Sequence, residues 1–398
     1  MHRQDLQLLV GAVLLSALGD WLALTALALH LEETTDSGLA VAALFIALWL
    51  PLVLFAGPAG LLVDRFDPRR VVVVASIAQA GIVAVLAFTG SLIPILALTA
   101  LLGTANAVSQ PAEFTLVPRV VSADRLGIAN AHVETARFVG FAAGPLLGGV
   151  LAGAGGTQLP LLVDATSFLV IALAVILLRE RAGIAAEAAE EEPLGRARDG
   201  IVFLARDRTL RLVMLVAFAS LLFMTASAPA EVFFAKDFLD VGDAGFGALW
   251  SCWFLGMAVG GLLLARRVRS GALAGAALVA IVVQSVGLAV PTLWLVFGLA
   301  LASYVVGGAA HGTKNVLVRT LMHERVPARL HGRAFAAYNG VRNGAEMVAL
   351  LLGGLLIAAI GARWTLLVAG AAQAAAGLVG LAAYRRLRAR DLPAVETA

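Results

Sequence analysis

The segment GLLVDRFDPRR, Gly60–Arg70, joins two long apolar stretches of the chain. A glycine lets two helices approach closely, and an aspartate can face the positive N-terminus of a neighbouring helix or pair with an arginine. These residue types predict a close contact that ties the ends of two neighbouring helices together. The alternative is that the arginines only set the orientation of the flanking helices. The candidate gate residues are Gly60, Asp64, Arg65, Arg69 and Arg70.

The composition also indicates a membrane protein. Of the 398 residues, 61% are hydrophobic and 14% are charged, and the mean hydropathy is +0.93. Soluble domains are about 45–50% apolar and about 25% charged, so these values argue against a water-soluble globular protein. Intrinsic disorder is excluded too, because disordered chains are poor in apolar residues. The single cysteine, Cys252, rules out an intrachain disulfide and a thiolate metal site.

Twelve apolar stretches are long enough to cross the hydrocarbon core, which is about 30 Å thick and takes roughly 20 helical residues. They predict an all-α integral membrane protein with twelve transmembrane helices. The predicted spans are 6–31, 37–63, 70–89, 92–117, 126–153, 158–179, 210–235, 243–266, 270–291, 293–318, 332–361 and 363–385.

The basic residues indicate the orientation of these spans. Of the 29 Lys and Arg residues, 24 lie in the termini and in every second loop, and three lie inside spans. Only Lys236 and Arg363 fall in the other loops. Because basic residues stay on the cytoplasmic side, both termini of a multi-pass protein are expected in the cytoplasm. The same bias accounts for the net charge of +3, so binding to nucleic acid is not expected.

A polar, acidic segment separates the spans into two sets of six. The predicted organisation is an N-terminal bundle at 1–180, a cytoplasmic linker at 181–209, a C-terminal bundle at 210–387 and a tail at 388–398. The two halves share residues at an offset of 205, and two six-span repeats of one orientation are a transporter architecture. The matching pairs are Gly127 with Gly332, Arg137 with Arg342, Gly148 with Gly353 and Gly149 with Gly354.

Span five carries a second glycine motif, GFAAGPLLGG. Small residues four positions apart leave a groove along one face of a helix in which another helix can pack. The proline removes one backbone hydrogen bond and kinks the span. Such an interface suits helices that rock during transport, and ordinary transmembrane packing is the alternative. The motif residues are Gly140, Gly144, Pro145, Gly148 and Gly149.

Both motifs resemble those of the major facilitator superfamily. The loop is similar to its G-x-x-x-D-R-x-G-R-R/K signature, with Asp67-Pro68 as a departure, and span five looks like its antiporter motif, G-x-x-x-G-P-x-x-G-G. Three further segments resemble those of the enterobactin-exporter-like and macrolide-efflux-like branch of this superfamily: Leu18–Trp21, Leu126–Ala131 and Asp164–Phe168.

The resemblance covers the whole chain and implies two pseudo-symmetric six-helix bundles that rock about a midplane site. It also implies a secondary transporter of the efflux and multidrug-resistance type in the bacterial inner membrane. Such a protein exports a drug-like or siderophore-like small molecule in exchange for protons, by alternating access.

Charges inside the spans are the candidates for coupling. An ionisable group at bilayer depth costs about 2.5–3.5 kcal/mol on insertion scales, so it usually lines a cavity or pairs. A coupling carboxylate must take a proton from one side and release it to the other, which makes Asp20, Glu134 and Glu346 the leading candidates. Residues three or four apart share a helix face, so the two arginines are the expected counter-charges. The full candidate set for proton coupling and the substrate cavity is Asp20, Glu134, Arg137, Asp164, Glu231, His311, Arg342 and Glu346.

Each candidate has a simpler interpretation. The Arg–Glu pairs could be fixed internal salt bridges, and Asp20 could accept a packing hydrogen bond. Asp164 and Glu231 could lie at the outer interface, where a charge costs little, and His311 could be a packing residue. Glu113 is expected as a charge at the cytoplasmic end of span four. For the whole chain, the alternatives are a lysophospholipid or lipid flippase, an uncoupled transporter, and a non-transporting receptor or scaffold.

The sequence holds no Walker loop, no zinc-binding H-E-x-x-H and no G-x-S-x-G nucleophile motif. Neither an enzyme activity nor direct use of ATP is therefore expected, and no cofactor or metal is expected. The expected partners are a small-molecule substrate, protons and the lipid bilayer, with the chain acting as a monomer.

Overall fold

The computed structural model describes residues 3–121, 125–178, 202–327 and 330–391. Helices account for nearly all of these residues, and no strand occurs among them. In this part of the chain, nine helices are long and apolar enough to cross a membrane by length and composition. Most of the predicted linker at 181–209 and most of the tail at 388–398 lie outside the described residues, as do the side chains of residues 60, 61 and 64.

Most helices within each half of the chain follow one another with short connections. In the first half they are α1 (Arg3–Thr35), α2 (Gly38–Leu54), α3 (Ala56–Arg65), α4 (Pro68–Leu86), α5 (Leu92–Val120), α6 (Leu126–Gly155) and α7 (Gln158–Leu177). In the second half they are α8 (Arg208–Ser227), α9 (Gly242–Val259), α10 (Leu273–Leu293), α11 (Phe297–Arg325) and α12 (His331–Asp391). The short helix Ala230–Phe233 and the π-helical turn Phe234–Phe238 lie between α8 and α9.

The twelve predicted spans all fall on helices, which confirms the all-α fold class. Span two is divided at Phe55 into α2 and α3. Spans eleven and twelve run together as α12, which turns at Gly361, where φ is 76°. A side chain is strained at such an angle, so glycine is the residue that suits this turn.

Polar caps define where several helices begin. The Ser37 side chain accepts a hydrogen bond from the amide of Ala40 at 3.4 Å, and Asp207 accepts one from Leu210 at 2.8 Å. These oxygens satisfy amides that have no partner within the first helical turn. The two capping residues therefore fix where α2 and α8 begin.

The chain forms two compact units. The first comprises Met1–Glu190 together with Glu231–Ser251 and Ile357–Ala359, and the remaining residues form the second. The predicted bundle limits at residues 180 and 210 stay a prediction, because two short segments from the second half of the sequence belong to the first unit.

In the first unit, α1 packs against α6 and α7, while α5 packs against α2 and α4. In the second unit, α10 packs against α11, and α11 also contacts the π-helical turn Gly260–Leu264. The interior of the second unit includes a cluster of buried apolar side chains that contains Leu210, Leu278 and Met322. These contacts fix the positions of the helices that carry the candidate residues.

Large apolar side chains cover much of the outside of the helices. Four examples are between 68% and 78% exposed: Val74, Phe88, Ile93 and Val379. In water such surfaces would associate, whereas in a bilayer they meet lipid, and the helical backbone satisfies its own polar groups. The structure is therefore that of a multi-pass membrane protein.

Candidate functional site

One arginine and two carboxylates form the charged centre of the first unit. Asp20 on α1 and Glu113 on α5 are both half-buried, and both lie within electrostatic reach of Arg137 on α6. The Arg137 guanidinium also lies over the ring of Phe114, with its central carbon 5.2 Å from the ring centroid. Three different helices thus bring opposite charges together inside the membrane-spanning part of the unit.

The predicted partner of Arg137 holds it only loosely. Glu134 Oε1 lies 3.8 Å from Arg137 Nε, and half of the Glu134 side chain is exposed. Among the described residues, Arg137 Nε has no hydrogen-bond partner. The arginine is therefore held by several charges and an aromatic ring, and it is not locked to its neighbour on the same helix.

Aromatic rings lie beside this charged centre. The ring of Trp21, the residue after Asp20, meets the ring of Trp250 at a centroid distance of 5.2 Å and an angle of 67°. Phe45 stacks on Trp250 at 5.9 Å, and Trp250 Nε1 donates a hydrogen bond of 2.7 Å to Glu231 Oε2. Glu231 is only 8% exposed, so its carboxylate is enclosed by the first unit.

Asp164 is also buried. Its side chain is fully enclosed, and Oδ1 accepts a hydrogen bond from Ser167 at 3.2 Å. Among the described residues, Oδ2 has no hydrogen-bond partner. Asp164 interacts electrostatically with Asp20, and it packs so closely on Gly19 that a side chain at residue 19 would collide with its carboxylate. Asp164 thus belongs to the same charged centre as Asp20.

The second unit contains the other predicted pair. Arg342 Nε donates to Glu346 Oε1 at 3.0 Å, and the two side chains are 34% and 22% exposed. His311 is buried on α11 and contacts Gln284 and Lys314 at 3.3 Å each, and Asn315 at 2.9 Å. Arg342 and Glu346 both interact electrostatically with Lys314. The predicted residues therefore fall into two groups, one in each unit, and Glu231 from the second half of the sequence belongs to the group in the first unit.

The loop after α3 is held by a residue outside the predicted gate set. Asp67 accepts a hydrogen bond from the amide of Arg69 at 3.2 Å and pairs with Arg119 at 3.2 Å. The Arg69 guanidinium donates to the carbonyl of Ile176 on α7, while Arg65 and Arg70 are exposed. The predicted gate residues Gly60 and Asp64 lie on α3, but their side chains are outside the described residues.

The glycine motif of α6 forms the predicted packing face. Side-chain carbons built at Gly140, Gly144 and Gly148 would lie 2.7, 2.7 and 2.6 Å from backbone atoms of α1. Gly149 instead faces the backbone of Asp243. The amide of Leu146, next to the proline, donates a hydrogen bond of 3.0 Å to Ser251 Oγ. Glycine at these positions lets α1 and α6 meet backbone to backbone, which positions Asp20 beside Arg137.

Two residues beyond the predicted set belong to these contacts. Glu113 was expected as a charge at the cytoplasmic end of its span, and it interacts with Arg137 and Asp20 of the charged centre. The sequence contains a signal for this, because the spacing of Asn106, Gln110 and Glu113 places three polar side chains on one face of α5. Asp67 was readable as well, because an aspartate before a proline is typical of a helix start. No group of residues suited to a metal ion occurs in the described part of the chain.

A further ionic cluster lies at the end of α1. Lys236 Nζ lies 2.8 Å from Glu32 Oε2 and 3.4 Å from Asp243 Oδ1. Burial alone would lower the pKa of Lys236, yet its hydrogen bonds and the charges of Glu32 and Asp243 raise that pKa above its usual value. The lysine therefore stays protonated at neutral pH and ties the segment Glu231–Ser251 to α1 within the first unit.

Comparison with known proteins identifies the family. The family model described as Major Facilitator Superfamily matches residues 9–349. A protein of Bacillus subtilis (strain 168), described as the uncharacterized MFS-type transporter YfiS, is 23% identical over 403 residues, which cover 96% of this chain and 93% of that protein.

Three solved structures have a similar fold. The nucleoside transporter NupG has a TM-score of 0.73 at 15% identity, covering 96% of this chain and 99% of that one. A bacterial homologue of the lysosomal transporter Spinster reaches 0.75 at 14% identity, covering 97% and 98%. A bacterial homologue of the iron transporter ferroportin reaches 0.69 at 16% identity, covering 96% and 99%. Since the family model spans most of the chain, the protein belongs to the Major Facilitator Superfamily of membrane transporters.

Proposed function

We propose that the protein is a proton-coupled exporter that moves a small drug-like or siderophore-like organic molecule out of the cytoplasm by alternating access. It acts as a monomer in the bacterial cytoplasmic membrane, with both termini inside the cell. The observation that carries the proposal is the arrangement of Asp20 and Glu113 around Arg137, next to the aromatic rings of Trp21 and Trp250.

The charge balance of this centre suits proton exchange. One guanidinium cannot neutralise two carboxylates, so either Asp20 or Glu113 can carry a proton while the other pairs with Arg137. Asp164 adds a third carboxylate with one buried oxygen that lacks a hydrogen-bond partner among the described residues. A shift of Arg137 from one carboxylate to the other would release one proton and take up another, which is the step that coupling requires.

The neighbouring rings suit an organic substrate. Trp21, Phe45 and Trp250 offer flat apolar faces within the first unit, and aromatic groups pack on such faces in offset or edge-on geometry. A bound molecule there would lie next to Asp20 and would change how well water reaches its carboxylate. Substrate and proton would then compete through one site.

The two motifs support the direction and the gating. The α6 glycine motif resembles the one associated with exporters of this superfamily, and it packs directly on the helix that carries Asp20. For the loop after α3, we propose that Gly60, Asp64, Arg65, Arg69 and Arg70 act as the cytoplasmic gate, with Asp67 and Arg119 as an additional pair.

The proposal is tested by proton release on ligand binding. Purified protein in weakly buffered detergent is mixed with the compound that most raises its thermal midpoint, because a ligand of the folded state stabilises it. A pH indicator then reports the protons released. Release is expected from the parent and from Glu134→Gln, whose carboxylate is exposed, and it should be lost in Asp20→Asn or Glu113→Gln. Equal release from all four proteins, or none from the parent, would refute coupling through this centre.

A further inference from the structure

Lys314 is an unusual residue in this chain. Among the 29 basic residues it is one of only two lysines, the other being Lys236. It lies on α11 within the second unit, and only 3% of its surface is exposed. No carboxylate of the described residues forms an ion pair with it, and its one hydrogen-bonding contact there is His311 Nδ1 at 3.3 Å. A buried amine with three donors to place is therefore almost unpaired.

One neutral tautomer of His311 leaves the lysine without an acceptor. Asn315 Nδ2 approaches His311 Nε2 at 2.9 Å, and Gln284 Oε1 lies 3.3 Å from His311 Nδ1. A neutral imidazole satisfies both amides when Nε2 accepts from Asn315 and Nδ1 carries the proton that it donates to Gln284. In that arrangement the Lys314 amine faces an N–H group, so it lacks a partner of opposite polarity.

A second donor in the same network is also unpaired. Gln284 Nε2 donates to Gln373 Oε1 at 3.0 Å, and Ser220 Oγ donates to that same oxygen at 3.3 Å. Gln373 is fully buried, and its Nε2 has no hydrogen-bond partner among the described residues. An unpaired buried donor is costly, so the network lacks acceptors at two points.

The local charges point the same way. Arg342 is paired with Glu346 at 3.0 Å, which leaves the charge of Lys314 in excess when its amine is protonated. Trp253 lies beside His311 at a centroid distance of 5.7 Å and packs edge-on against Tyr304 at 6.0 Å. A positive, donor-rich group next to aromatic rings suits a ligand that combines an oxyanion with an aromatic ring.

We propose that Lys314 binds the oxyanion of the transported molecule, so that the substrates are aromatic carboxylates, sulfonates or phosphates. The inference rests on the transport function proposed above and names its substrate class. Gln373 Nε2, further along the same network, is a second buried donor without a hydrogen-bond partner among the described residues. The Glu346 carboxylate is already paired with Arg342. It therefore does not neutralise the positive charge of a protonated Lys314.

Two lysines make the test simple. The full-length protein is produced with isotope-labelled lysine and placed in phosphatidylcholine nanodiscs, and the two side-chain nitrogen signals are assigned with Lys314→Arg and Lys236→Arg. Naphthalenesulfonate, naphthoate and naphthyl phosphate are titrated, with uncharged naphthamide as the matched control. The Lys314 signal is expected to shift with at least one anion, while the Lys236 signal stays in place and naphthamide has no effect.

Binding affinity provides the second measurement. Lys314→Gln should weaken the anion that shifts the signal by on the order of ten- to a hundredfold, as expected for loss of a charged hydrogen bond. Lys236→Gln removes the same charge elsewhere and should leave that affinity unchanged. A Lys314 signal that moves with none of the anions, or an affinity that survives Lys314→Gln, overturns the proposal.

Two further outcomes separate the sources and the claims. If phosphatidylglycerol in the nanodiscs shifts the Lys314 signal and the naphthyl anions do not, the oxyanion is a lipid headgroup and the proposed substrate class is wrong. If the anions bind through Lys314 but release no protons, the substrate class stands and proton coupling fails. If ligands release protons but bind equally well to Lys314→Gln, proton coupling stands and the proposed substrate class fails.

Discussion

Lys236 Nζ lies 2.8 Å from Glu32 Oε2 and 3.4 Å from Asp243 Oδ1, so one lysine joins two carboxylates within the first unit. Replacing it with glutamine leaves the two carboxylates facing each other without a counter-charge. We expect Lys236→Gln to lower the free energy of unfolding by about 1–2 kcal/mol, between the values of exposed and buried pairs. Thermal unfolding in detergent measures this.

The shorter contact should be the stronger one. A double-mutant cycle of Lys236→Gln with Glu32→Gln is expected to give a larger coupling energy than the cycle with Asp243→Asn. Because the folded-state pKa of Lys236 is raised, its stabilisation is present at neutral pH and disappears only as the pH rises through that pKa, above the usual 10.5. Equal coupling energies, or a loss of the lysine's contribution between pH 7 and 9, would contradict the described contacts.

The glycine face of α6 makes a second prediction. A methyl group added at Gly144 would lie 2.7 Å from the Leu18 carbonyl oxygen and 2.9 Å from Trp21 Cβ. Backbone cannot yield cheaply, so Gly144→Ala should destabilise the protein by about 1–3 kcal/mol.

Gly127 provides the matched control on the same helix. No heavy atom lies within 4 Å of a side-chain carbon built there, so Gly127→Ala should be neutral or stabilising by up to about 1 kcal/mol. If both variants unfold at the parent's temperature, α1 and α6 do not meet as closely as described.

Much of the fold follows from the sequence, because apolar length alone locates a helix in lipid. The stretches at 92–117 and 126–153 correspond closely to α5 and α6. The spacing of Gly140, Gly144 and Gly148 predicted a helix-packing face on α6, but it did not predict that α1 is the helix that packs there. The break at Phe55 was not predicted, although the sequence marks it: Pro58 has no N–H to donate to the carbonyl of Leu54, where α2 ends.

The candidate sites could be predicted only in part. Helical spacing predicted that Arg342 and Glu346 share a face, and they do pair. Spacing on one helix cannot show which other helix lies opposite, so the approach of Glu113 to Arg137 was missed. The network of Lys314 was missed for the same reason, because His311, Gln284 and Gln373 come from three different helices or helix segments.

The Trp250 side chain gives a third prediction. Its indole N–H donates to the buried Glu231 carboxylate at 2.7 Å, and phenylalanine keeps a ring there but removes the donor. Trp250→Phe should therefore lower the free energy of unfolding by about 1–3 kcal/mol, the cost of a lost hydrogen bond to a charged group. Equilibrium or thermal unfolding measures the change.

Trp294 is the control for this substitution, because it is 58% exposed. Trp294→Phe should change stability by less than about 0.5 kcal/mol. A Trp250→Phe variant as stable as Trp294→Phe would mean that the indole N–H contributes nothing to holding Glu231.

Proton coupling is tested most directly in proteoliposomes. The vesicles have an acidic interior, the cytoplasmic face of the protein is outside, and the compound that best stabilises the protein is added externally. Uptake of this compound and the internal pH are recorded together. Exchange predicts that the compound accumulates while the internal pH rises, and that Asp20→Asn abolishes both signals. Accumulation without any change of internal pH, or accumulation that does not depend on the gradient, would contradict a proton-coupled exporter.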